Sequence, residues 1–222
     1  MTKNVDFDRI PTGIPGLDKM IEGGFIRGSN ILVYGGPGVG KSIFVIQFIY
    51  EGLKNGENCM IITLEESPED LKNDVKRFGW DLEKYEKQGK LTIIYKDPFQ
   101  VTNIIEILLE EIRRKKISRL AIDSVSTLAL YFEKPFEMRK QLFKLINAIK
   151  ETGCTTVFTA EKESNDGYNI VEYVADGVID LISTNLGGQR EFTLEVKKMR
   201  RTKNSKEIKS YKISDLGISI SN

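Results

Sequence analysis

The stretch from Gly35 to Ser42 reads Gly-Gly-Pro-Gly-Val-Gly-Lys-Ser and fits G-x-x-x-x-G-K-[ST], the phosphate-binding loop or P-loop pattern. Gly35, Gly40, Lys41 and Ser42 stand at its defining positions. The spelling suits one task, holding a nucleoside triphosphate. Glycines let consecutive backbone N–H groups turn inward as a nest for phosphate oxygens. Lys41 adds a positive point charge, and the Ser42 hydroxyl is a hard oxygen ligand suited to Mg²⁺. Two more acidic positions could do chemistry. Glu65-Glu66 closes one apolar run, and Asp123 closes another, Arg119-Leu-Ala-Ile-Asp123. In phosphate-loop proteins a strand of the second kind delivers the aspartate that holds the Mg²⁺ water shell. For Glu65-Glu66 two readings stand side by side. One is a helix start, with Ser67 capping, Pro68 at the first helical position and acids favoured by the helix dipole. The other is a general base at the carboxyl edge of a parallel sheet, where α/β proteins place ligands. The two are compatible.

These groups need strands that feed helices, and the chain supplies them. Ile31–Tyr34 is a short β-rich apolar run directly before the loop, and Ser42–Leu53 is an apolar segment of helical length that stops at Asn55-Gly56. Cys59–Leu64, Leu91–Tyr95, Arg119–Asp123 and Cys154–Thr159 read as further strands, with helices at Pro68–Phe78 and Ile104–Lys116 and another marked by Leu142, Leu145, Ile146 and Ile149. The Pro- and Gly-rich residues 10–30 read as turns, with a short helix near Leu17–Ile21. From Asp176 onward the texture changes. Val178–Ser183, Glu191–Met199, Ser210–Ser214 and Ile218–Ser221 are strands joined by short turns such as Gly187-Gly188, an antiparallel extension on a parallel core. Within it Lys197, Lys198, Arg200, Arg201 and Lys203 form a basic run whose plainest reading is an exposed charged hairpin.

Composition bounds the chemistry. The 222 residues suit one α/β domain. Lys plus Arg (33) nearly cancel Asp plus Glu (32), so bulk charge names no partner. There is no histidine, which leaves acid–base work to carboxylates and hydroxyls. Cys59 and Cys154 lie in apolar runs and read as buried thiols of a reducing compartment. The first residues read as neither a signal peptide nor a membrane span, and no later apolar run reaches spanning length. A cytoplasmic location is expected.

Several of these pieces occur in the order characteristic of one family. Thr12-Gly-Ile-Pro-Gly-Leu-Asp18, Gly23-Gly24, the phosphate loop, Thr63-Leu-Glu-Glu-Ser-Pro68, Phe78-Gly-Trp-Asp81 and Ile122-Asp-Ser-Val-Ser126 are followed by Val171–Asp176, Lys198-Met-Arg200 with Thr202, and Ile213–Ile218. Over nearly its whole length the sequence resembles the KaiC-like ATPases of the RecA superfamily, in single-domain form. The resemblance implies a RecA-like P-loop core, ATP with Mg²⁺ as ligands, and a homohexameric ring. It makes Glu65 the general base, with Glu66 in support, and gives Mg²⁺ to Ser42 and Asp123. It places Gly36, Pro37, Gly38, Val39, Gly40, Lys41, Ser42, Ile43 and Arg77 around the nucleotide. Lys198 and Arg200 would reach in trans to the neighbour's γ-phosphate, accompanied by Met199, Thr202, Asn204, Ser214 and Asp215. Arriving charge of that kind suits phosphoryl transfer, and head-to-tail contacts close into rings.

Three positions depart from the family pattern. Asn204 replaces a histidine, Arg201 stands where glycine is usual, and Glu172-Tyr173 stands where the clock protein's autokinase domain has its Ser-Thr phosphoacceptors. Hydrolysis without autophosphorylation is therefore expected. The leading reading is an ATP-hydrolysing ring whose state is read by an unidentified protein partner. A DNA-binding recombination ATPase on the same core is the alternative, supported by the basic run and opposed by the near-zero net charge and the Glu65-Glu66-Ser-Pro segment. A nucleotide switch with little turnover is a third, opposed by intact Lys41, Ser42, Glu65 and Asp123.

Overall fold

The computed structural model describes residues 6–95, 104–129, 135–162 and 169–221. A small ribbon of β1 (Arg9–Ile10) and β2 (Phe25–Ile26) frames the short helix α1 (Leu17–Met20). Then follow β3 (Asn30–Gly35), α2 (Lys41–Lys54), β4 (Cys59–Thr63), α3 (Pro68–Lys76), α4 (Leu82–Lys87) and β5 (Leu91–Tyr95). The chain continues with α5 (Ile104–Lys115), β6 (Arg119–Asp123), α6 (Val125–Ala129), α7 (Pro135–Glu151), β7 (Thr155–Glu161) and α8 (Asn169–Val174). It ends with β8 (Gly177–Leu186), β9 (Gln189–Met199), β10 (Lys209–Ser214) and β11 (Gly217–Ile220).

Nine strands form one sheet in the order β11-β10-β9-β8-β3-β7-β6-β4-β5. From β8 to β5 every pairing is parallel, and from β8 to β11 every pairing is antiparallel. The expected α/β architecture, a mostly parallel core with an antiparallel β extension at its C-terminal end, is thus observed. Strand alternation sorts the core into two layers. Ile31, Val33, Ile61, Ala121 and Val157 face α2, whose Phe44, Phe48 and Ile49 pack there. Leu32, Met60, Ile62, Leu120, Ile122 and Phe158 face the other way, against Leu108 and Ile112 of α5 and Leu142, Ile146 and Ile149 of α7. Both cysteines are buried, and Cys154 sits just before its strand.

Element boundaries follow local chemistry. Ser67 caps α3, its Oγ accepting from Asp70 N at 3.2 Å, with Pro68 at the first position. Asp81 caps α4 in the same way, through Lys84 N at 3.0 Å; the sequence reading overlooked this helix, although the cap was visible. Strand β7 runs to Glu161, two residues beyond the expected Thr159. Gly187-Gly188, with φ of 58° and 82°, closes the β8–β9 hairpin as a two-residue turn between Leu186 and Gln189. A fully buried cation, Arg119, is satisfied by Glu57 at 2.7 Å and by the carbonyls of Pro11 and Phe48, which ties the N-terminal turns to the sheet.

Candidate functional site

The parallel strands β3, β4, β6 and β7 end on one rim, and the chemistry-bearing residues gather there. Gly35 is the last residue of β3, the loop turns, and α2 begins at Lys41 after Gly40 at φ 92°. No side chain caps this helix, so its first N–H groups face the loop and favour an anion. The glycine spelling is enforced by packing. A Cβ on Gly35 would lie 2.3 Å from the Leu181 carbonyl oxygen, and one on Gly40 would lie 2.8 Å from Ile213 Cδ1. The loop is also held from outside. Tyr211 donates to Val39 O at 2.6 Å, and Arg190, at the β8–β9 hairpin, donates to Pro37 O at 3.1 Å.

A cavity of about 620 Å³ opens beside the loop. Its walls carry Pro37, Gly38, Gly40, Lys41, Ser42 and Ile43 from the loop and α2, Glu65 and Glu66 after β4, Arg77 after α3, and Asp123, Ser124 and Glu161. Its size falls in the usual range for small-ligand sites. Lys41 is 8% exposed and curls back over its own loop, donating to Gly35 O at 3.1 Å and Gly36 O at 2.9 Å while pairing with Glu161 at 2.7 Å. Glu161 itself is anchored by a backbone bond from its N–H to Ser126 Oγ at 2.7 Å.

Besides Glu161, the carboxylates of Asp123, Glu65 and Glu66 share this rim. Burial pushes the Asp123 carboxyl up, and hydrogen bonds from Ser42 and Thr159 and the charge of Lys41 pull it back. Glu65 accepts from Ser124 Oγ at 2.8 Å and Thr127 Oγ1 at 2.5 Å, which fixes its Oε1 at the cavity wall. Glu66 is also raised, by burial and then by Asp123, Asp74 and Glu65. Its backbone is pinned in both directions by the Thr63 hydroxyl. Like charges pressed together in this way accommodate a cation. The donors available are carboxylate and hydroxyl oxygens, the hard set that Mg²⁺ prefers. No group of three or more acidic, Cys or His side chains forms a metal cage among the described residues.

The second set of expected residues lies elsewhere. Lys198, Met199, Arg200, Thr202, Asn204, Ser214 and Asp215 do not line the cavity of their own chain. Lys198 Nζ donates to the carbonyls of Glu172 (2.8 Å) and Tyr173 (3.0 Å), and Arg200 Nη2 donates to Tyr173 O at 3.0 Å. Met199 packs in the core beside Gly177, so a ligand contact there would use its backbone. Asn204 ties down the turn by donating to Val196 O and Ser205 O. Thr202 accepts from Arg9, and Ser214 accepts from Leu216 N at the β10–β11 turn. The basic run is exposed, as expected, with Lys197, Arg200, Arg201 and Lys203 at the surface, and part of its charge is paired. Lys197 pairs with Asp180 at 3.1 Å, and Arg200 and Arg201 approach Asp176 at 3.9 and 3.7 Å. Arg201 adopts φ 57°, the left-handed conformation that explains why glycine is usual at its position.

The sequence reading missed Glu161, Thr159, Ser124, Thr127 and Arg190. Glu161 and Thr159 carry a legible signal, being polar residues near the carboxyl end of a strand that neighbours the loop strand. Ser124 and Thr127 become visible only once the β6–α6 turn brings them to Glu65.

Comparison with known proteins decides the family. A family model described as "ATPase: KaiC" matches residues 10–222. The chain belongs to the KaiC-like ATPase family. A UPF0273 protein of Aeropyrum pernix is 36% identical over 95% of this chain and 92% of its own length, and one of Thermotoga maritima is 35% identical over 96% and 95%. The circadian clock oscillator protein KaiC of Parasynechococcus marenigrum is 34% identical over 96% of this chain, which spans 44% of that longer protein. The crystal structure of a KaiC-like protein from Pyrococcus horikoshii OT3 superposes with a TM-score of 0.91 at 36% identity, covering 98% of this chain and all of that one. Membership in this family supports nucleotide binding and ATPase activity. No helix among the described residues is long and apolar enough to cross a membrane.

Proposed function

We propose that this chain is a single KaiC-like domain that hydrolyses ATP slowly in a head-to-tail ring, a homohexamer in the family pattern. The carrying observation is the division of its charges. Lys41, Ser42, Glu65, Glu66 and Asp123 share one cavity, whereas Lys198 and Arg200 stand outside it on backbone carbonyls. In this reading the loop N–H groups and Lys41 hold the β- and γ-phosphates, and Ser42 and Asp123 hold Mg²⁺, which neutralises charge on the phosphates when bound. Glu65, oriented by Ser124 and Thr127, polarises the attacking water, and Glu66 supports it. Arg77, on the cavity wall after α3, borders the nucleotide. Lys198 and Arg200 act on the neighbour's γ-phosphate, accompanied by Thr202, Asn204, Ser214 and Asp215, so assembly gates turnover.

Glu172-Tyr173 offers no Ser-Thr acceptor pair, so the product is free phosphate and not a phosphoprotein. The output is a conformational state read by a protein partner in the cytoplasm. The basic run, turned largely toward Asp176 and Asp180, gives little support to a nucleic-acid groove. Light scattering with and without ATP–Mg²⁺, alongside phosphate release, tests the proposal. A ring-sized species whose turnover collapses in Arg200→Ala while nucleotide still binds is the expected result. A monomer at every concentration, with turnover untouched by the substitution, overturns it.

A further inference from the structure

Lys197 and Lys198 are neighbours on β9, and strand alternation would send their side chains to opposite faces of the sheet. They share a face instead. Ile179 stands opposite Val196 and Val178 opposite Lys198, so Lys197 is an extra residue with no partner across the ladder, a β-bulge. Val196 and Met199 pack in the layer that faces α2. Lys197 and Lys198 both turn to the other face, one toward Asp180 and the other toward the carbonyls of Glu172 and Tyr173 in α8.

Asp180 makes this arrangement possible and is itself anomalous. Its side chain is 2% exposed, and Lys162 (3.0 Å) and Lys197 (3.1 Å) both reach its Oδ2. Its Oδ1 has no hydrogen-bond partner. The Lys197 ammonium lies 5.1 Å from the centre of the Tyr34 ring, and burial raises the Tyr34 phenol to about 12, so it stays protonated at neutral pH. Around this cluster the same face carries Leu32, Phe158 and Val178. Asp180 is buried but Lys162 and Lys197 keep side chains 48% and 40% exposed, and ion pairs with that much solvent contact contribute little, so stability alone does not account for the arrangement. Its position suggests another role. Lys162 directly follows Glu161, the partner of Lys41, and Lys197 directly precedes Lys198.

We propose that Asp180 is a positioning residue for the trans cations: by holding the bulged Lys197 it sets the end of β9 so that Lys198 and Arg200 are presented together to the neighbouring subunit. This rests on the trans reading of Lys198 and Arg200 given above. Asp180 touches no phosphate in this scheme and acts only through β9.

The test is phosphate release by the full chain with ATP–Mg²⁺, using Asp180→Asn alone and in mixtures. Alone, it should lower kcat about tenfold or more while KM stays within about twofold. Mixed with Glu65→Gln, it should regain turnover, because one partner keeps a complete cavity and the other keeps correctly presented cations. Mixed with Arg200→Ala, it should not. The reverse pattern would place the action of Asp180 in its own subunit's cavity, through Lys162 and Glu161, and overturn the proposal, as would wild-type turnover of Asp180→Asn. Because that substitution leaves two lysines without their counterion, Lys197→Met serves as a second variant that leaves Asp180 paired with Lys162. It should show the same complementation pattern, and rescue by Arg200→Ala would again refute the idea. A failure of the trans reading itself shows separately, as a failure of Glu65→Gln and Arg200→Ala to complement each other.

Discussion

In the proposed mechanism Lys41 and Arg200 are both cations offered to a phosphate, and the molecule builds them in opposite ways. Lys41 is buried and held by two carbonyls of its own loop and by Glu161. Arg200 has a side chain 48% exposed, bonded to a single helix-end carbonyl and only loosely near Asp176. A group that serves its own subunit can be packed into place by its neighbours in the fold. One that serves another subunit has to stay at the surface, and its precision comes from the backbone beneath it. In the proposed scheme that backbone is the β9 bulge, whose Lys197 and Lys198 are held on one face of the sheet by Asp180 and by α8 carbonyls.

The contrast can be broken at its two cations. Lys41→Ala and Arg200→Ala should each lower turnover on the order of 10³-fold, the scale of a lost phosphate-directed cation. They should differ in binding. Lys41→Ala should also abolish measurable nucleotide affinity, whereas Arg200→Ala should leave it within about threefold in a fluorescent-nucleotide titration. Equal loss of affinity in both would erase the distinction between the two regions.

A smaller effect sharpens the cavity half. If Lys41 holds the triphosphate as proposed, Glu161 competes with it, so Glu161→Gln should tighten ATP binding by about fivefold, roughly 1 kcal/mol for a partly exposed pair. Calorimetric titration reads this directly, and weaker binding would assign Glu161 a supporting role toward the nucleotide. The smallest effect belongs to the β9 half. Arg201 occupies a left-handed conformation, so Arg201→Gly removes strain of about 1 kcal/mol but loses the approach to Asp176 and the stacking over Phe7. The two contributions oppose each other, and urea unfolding should show a net change below about 1 kcal/mol.

Much of this was legible in the sequence because it is local. The loop spelling, the Ser67-Pro68 helix start and the Gly187-Gly188 turn are each written within a few residues, and the structure has all three. The helix-start reading of Glu65-Glu66 is met by the capped helix that follows them, and both residues line the cavity. What escaped depends on register and on distant pairing. Glu161 meets Lys41 only because β7 lies beside β3, and Asp180 meets Lys197 only because β9 carries one extra residue. The basic run is exposed as read, but its pairing was not legible because its counterions, Asp176 and Asp180, lie on another strand and at its entry. The unusual Arg201 was visible as a departure from family pattern, but its physical meaning required the backbone angle.

The most direct test mixes two inactive variants. Glu65→Gln keeps its cations and loses its base, and Arg200→Ala does the opposite. If Arg200 acts in trans, an equimolar mixture assembled with ATP–Mg²⁺ should recover activity at about a quarter of its sites, those pairing an intact cavity with an intact neighbour. Phosphate release no greater than the average of the two variants alone would contradict action across the subunit boundary and return Arg200 to its own chain.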